Sequence, residues 1–154
     1  DLIDEALVMR MALYHDIEEA YTGDIISPVK YSSEKLHKAW DTLSETLLRT
    51  GTVRDFGEDS CIAERVVGVH GQYEEQKMKS IEGRVVKFAD LAQSVAYLLA
   101  ECRSGNTHAS PVLSNVLSNM HELFDDDSAL RPHMDSIAIE CRDSVLAASQ
   151  EPDT

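Results

Sequence analysis

Met11-Ala12-Leu13-Tyr14-His15-Asp16-Ile17-Glu18-Glu19-Ala20-Tyr21-Thr22-Gly23-Asp24 is the stretch on which the reading of this chain turns. It places an adjacent His-Asp pair and a following carboxylate on one apolar helix. At about 100° per residue, His15 and Glu19 stack one turn apart, with Asp16 one residue round the same edge. An imidazole and a carboxylate suit a divalent first-row ion. A second carboxylate one turn on can take a proton from a water on that ion.

A His-Asp dipeptide also arises by chance, and a histidine on an apolar helix face is more often a satisfied core residue than a ligand. The surrounding residues shift the balance. Gly23 can take the left-handed conformation that ends the helix, and Pro28-Val29-Lys30-Tyr31 follows as an ordered turn. Much further on, Val85-Val86-Lys87-Phe88-Ala89-Asp90 sets a lone aspartate into an apolar helix. An ionised carboxylate among such neighbours costs several kcal/mol unless it is paired or binds metal. A salt bridge from Asp90 to Lys87 or Arg84 explains it as well as a metal does. Lys30 is read as either a surface lysine or a point charge for a substrate phosphate.

Composition bounds the remaining possibilities. A chain of 154 residues is one domain by length and can bury a core without staples. With 7 Gly, 4 Pro and no strand-like alternation, it reads as all-α. The formal charge of −14 argues against a nucleic-acid polymer as partner, since a phosphate backbone is met by clustered Lys and Arg. A small nucleotide stays compatible, because an ion and a few local cations set the field inside a pocket. No apolar run approaches the roughly 20 residues that cross a bilayer. Cys61, Cys102 and Cys141 are odd in number and widely spaced, which reads as reduced core cysteines of a cytoplasmic protein. Asp125-Asp126-Asp127 lacks the Gly and terminal Glu of a calcium loop and reads as a polar turn.

Periodicity and punctuation predict a first helix over residues 2–21. Ser32 or Ser33 then caps a second, which carries Leu36, Ala39, Trp40, Leu43 and Leu47 on one face and ends near Gly51. A third carries Ile62, Ala63, Val66 and Val67, with residues 71–80 as a polar connector. The most apolar helix spans residues 81–103 around Asp90 and is broken by Ser104-Gly105-Asn106. Two more begin with Pro111 and Pro132 near their first turns.

Taken together, His15-Asp16, Glu19, Thr22-Gly23-Asp24, Pro28-Val29-Lys30-Tyr31 and Lys87-Phe88-Ala89-Asp90 resemble the HD-domain metal-dependent phosphohydrolases, in the branch of the bacterial 5'-deoxynucleotidase. The resemblance covers roughly residues 1–103. It implies an HD-domain helical bundle, read as a single domain over residues 1–154 that lacks its N-terminal helices. It implies one divalent ion (Mn, Co, Mg, Zn or Fe) on His15, Asp16 and Asp90, with Glu19 as the catalytic residue. The family's substrate-contacting Asp-x-x-Thr falls on Asp24 and Ser27, where serine keeps the hydroxyl, and Lys30 joins them. The family's upstream histidine has no counterpart. His70 is the best substitute, with a histidine at a helix C-terminus as its competing reading.

The implied reaction is hydrolysis of (deoxy)nucleoside 5'-monophosphates to nucleoside and phosphate in a cytoplasmic homo-oligomer, with no membrane partner. A deoxynucleoside triphosphate hydrolase on the same metal site is the first alternative. A non-catalytic nucleotide or metal binder is the second.

Overall fold

The computed structural model describes residues 3–23 and 33–148, with side chains through Cys141. The described residues form seven helical segments and no strand, so the all-α reading holds. These are α1 (Glu5–Tyr14), α2 (Glu19–Thr22), α3 (Glu34–Phe56), α4 (Cys61–Gln76), α5 (Ile81–Arg103), α6 (Ala109–Phe124) and α7 (Arg131–Ala148).

Short polar residues set most of the starts. Asp4 accepts from Leu7 N at 3.0 Å, Ser33 from Leu36 N at 3.2 Å, Ser60 from Ile62 N at 3.2 Å and Ser80 from Gly83 N at 3.0 Å. Each bond satisfies a first-turn N–H that has no partner within the helix. Glycines with positive φ, Gly23, Gly57 and Gly105, stand where α2, α3 and α5 end. Asp127 accepts from Ala129 N and Leu130 N between α6 and α7. The three aspartates are thus a polar turn, as their sequence suggested.

The chain packs as two compact units, Asp1–Val86 and Lys87–Thr154. In the first, α4 lies against both α1 and α3, and α2 lies against α3. Met11, Tyr73 and Val86 form a buried cluster with Leu7 and Val8 packed on it. In the second, α6 lies against α7, and Phe88 meets the fully buried Phe124 edge to face at 5.5 Å. Leu91, Val95, Leu99, Leu113, Met120 and Met134 are buried. No helix of the described residues is long and apolar enough to cross a membrane.

Several local expectations are corrected. The first predicted helix is two, because residues 15–18 form turns between α1 and α2. The second runs past the buried Gly51 to Phe56, and it buries Ser44, Leu48, Gly51 and Thr52 while Leu36 and Leu43 are exposed. An opposed helix that packs at Gly51 turns α3 away from its most apolar stripe. The connector at residues 71–80 is mostly helix: α4 continues to Gln76 and buries Tyr73. Of the three cysteines only Cys141 is in the core, since Cys61 is exposed and Cys102 half-buried. Burial pushes the Cys141 thiol above its ordinary pKa.

Candidate metal centre

The His-Asp pair stands where the helix changes pitch. Ile17 N reaches Tyr14 O at 3.3 Å, Glu19 N reaches Asp16 O at 3.0 Å and Ala20 N reaches Ile17 O at 3.2 Å. These are bonds to the third residue back, so the chain advances about three residues per turn here. Residues 16 and 19 therefore come closer to alignment than residues 15 and 19, which revises the stacking inferred from a continuous α-helix. Asp16 and Glu19 are exposed and His15 half-buried.

The His15 ring is held on two sides. Its Nδ1 lies 2.9 Å from Ala12 O, so the N–H is assigned there and donates to the carbonyl. The buried Tyr73 meets the ring edge to face at 5.8 Å. Nε2 then faces Asp16 Oδ2 at 2.9 Å. With the proton on Nδ1, both of these atoms present lone pairs. Two such atoms at that distance repel unless a cation, either a proton or a metal ion, is near both. A neutral imidazole oriented through its other nitrogen is also the usual state of a metal-binding histidine.

Asp90 follows Val86 by one turn of α5. Its Oδ2 accepts from Lys87 Nζ at 2.7 Å, and both side chains are less than a third exposed. The salt bridge to Lys87 considered from sequence is therefore present, and Asp90 is half-buried. A carboxylate has about four lone-pair sites, so this bond leaves capacity on Oδ1. Among the described residues, His15, Asp16 and Asp90 each offer one ligand atom, and these atoms all lie within 4.8 Å of one another. One imidazole nitrogen and two carboxylate oxygens fit a first-row divalent ion.

His70 does not belong to that group. It stands inside α4, not at its C-terminus, and its Nε2 is 2.7 Å from Glu18 Oε2. Burial pushes the Glu18 carboxyl up, but the His70 contact and a bond from Glu18's own backbone outweigh it and hold the carboxyl below its ordinary value. Sequence reasoning missed this pair. Nothing local distinguishes Glu18 from Glu19, and His70 is distant in the chain. The substrate-contacting residues read from sequence, Asp24, Ser27 and Lys30, lie outside the described residues.

In comparison with known families, residues 1–138 fit the family described as 5'-deoxynucleotidase YfbR-like. No curated protein and no solved structure matches the chain.

Proposed function

The chain belongs to the YfbR-like 5'-deoxynucleotidase family, and from that premise we propose that it hydrolyses deoxynucleoside 5'-monophosphates to nucleoside and inorganic phosphate, using one divalent ion on His15, Asp16 and Asp90. The observation that carries this reading is the donor set itself, one imidazole and two carboxylates with ligand atoms within 4.8 Å. When bound, the ion activates water and polarises a phosphoryl oxygen.

The chain's own residues do the rest. Glu19, three residues beyond Asp16 on the same turn, takes the proton that the attacking water loses as its oxygen bonds to phosphorus. The bond from phosphorus to the 5' oxygen breaks, and that oxygen leaves as the nucleoside hydroxyl with the proton that Glu19 accepted from the water. Asp24 and Ser27 orient sugar or phosphate through hydrogen bonds. Lys30 meets a phosphate oxygen as a compact positive charge. His15 is kept in one tautomer by Ala12 O, and Asp90 is steadied by Lys87.

The unit boundary falls within the continuous helix α5 rather than in a linker. We accordingly treat the chain as a single HD-type domain. The same reading makes the protein a cytoplasmic homo-oligomer, a dimer or larger, acting on a small nucleotide.

A panel of deoxynucleoside mono- and triphosphates incubated with Mn²⁺, Co²⁺, Mg²⁺, Zn²⁺ or Fe²⁺, with products resolved by chromatography, tests the proposal. Nucleoside and phosphate from monophosphates are expected. Triphosphate released from dNTPs with monophosphates untouched would reassign the substrate, and no hydrolysis with any metal would make the protein a binder.

A further inference from the structure

We infer that His70 is a positioning residue for the metal-bearing turn and acts through Glu18, an inference that rests on the reading of His15, Asp16 and Asp90 as ligands. Residues 15–18 are held by single-turn bonds to the third residue back, a poorer geometry than the α-helix. A ligand site tolerates only about 0.5 Å of displacement, so this turn needs support from outside itself.

That support comes from α4. Tyr73 packs on His15 at one end of the turn, and His70 meets Glu18 at the other. These residues are three apart on α4 and share a face, while Asp16 lies between the two gripped positions. Packing alone does not immobilise the Glu18 end, because Glu18 and His70 both line a cavity of about 450 Å³. Their side chains are nonetheless only 17% and 13% exposed. A carboxylate so placed costs free energy unless it keeps its partner, and this favours one orientation of the turn.

Co²⁺ binding provides the test, followed by calorimetry and by the visible d–d absorption of the bound ion. The variants are His70→Leu, His70→Gln, Glu18→Ala and the Glu18→Ala/His70→Leu double. Circular dichroism reports folding, and Glu18→Gln is the milder probe if a larger change prevents it. Support for a ligating residue is typically worth 10- to 100-fold in metal affinity. We expect His70→Leu and Glu18→Ala each to weaken Co²⁺ binding within about that range and to change the absorption bands. The double variant should be no worse than either single, because the two residues act as one unit. His70→Gln, whose amide can donate to Glu18, should restore most of the affinity.

Folded His70→Leu and Glu18→Ala proteins that bind Co²⁺ as the parent does, with an unchanged spectrum, would overturn the inference. Additive losses, or no rescue by glutamine, would likewise refute action through Glu18. A folded parent that binds no Co²⁺ would instead remove the metal reading itself, and the inference with it.

Discussion

Asp16 and Asp90 supply the anionic part of the proposed ligand set, and each loss removes both a charge and a coordinating atom. Asp16→Ala and Asp90→Ala should each abolish stoichiometric metal, measured by elemental analysis of the purified protein. Metal retained in Asp90→Ala would leave Asp90 with only its Lys87 salt bridge. For Glu19 the proposed part is proton transfer. Glu19→Gln keeps the size and removes the basicity, so metal should stay while phosphate release falls by roughly 10²- to 10⁴-fold. Loss of metal together with activity would make Glu19 a ligand. The family resemblance read from the sequence already implied His15, Asp16 and Asp90 as the donor set. It did not point to the Glu18–His70 contact, because a pairing between distant helices leaves no local pattern.

At the scale of the element, two glycines control how helices approach. A Cβ at Gly51 would collide with the ring of Tyr21, and a Cβ at Gly83 would collide with the backbone of Gln76 and Lys77. In a helix interior, Gly→Ala should gain up to about 1 kcal/mol from propensity alone. Overpacking typically costs about 1–3 kcal/mol, so the clash should prevail at both sites. Gly83→Ala should be the worse, since backbone cannot rotate away as a ring can. Gly68→Ala meets open space and should be neutral or stabilising. Urea denaturation followed by circular dichroism checks the order. Equal stability of all three variants would mean that these close approaches are not needed. Helix starts were legible from Ser33 and the end of α5 from Gly105, but the break at residues 15–18 was not. Apolar periodicity runs through that break without interruption, and tertiary contacts from Tyr73 and His70 accompany it.

For the whole molecule, a formal charge of −14 is a source of self-repulsion that salt screens. Raising NaCl from about 0.1 to 0.5 M should raise the melting temperature by roughly 2–4 °C, the shift that about 1 kcal/mol produces in a chain near this size. Scanning calorimetry reads it directly. An unchanged or lower melting temperature would mean that local ion pairs such as Arg131 with Asp125 outweigh the net repulsion. The same charge leads us to expect no retention on immobilised DNA at moderate salt.

By itself the sequence determined the all-α class and several helix boundaries, such as the start of α3 at Ser33 and both ends of α5. These depend on periodicity, capping chemistry and residue type, all of which act over a few neighbouring positions. Only the tertiary structure decided which face of α3 is buried, how far α4 extends, and that His70 contacts Glu18 and lies outside the donor group. Those outcomes depend on which helix lies opposite. The close approach that Gly51 permits and the burial of Tyr73 are properties of pairs of helices, and no single segment encodes them.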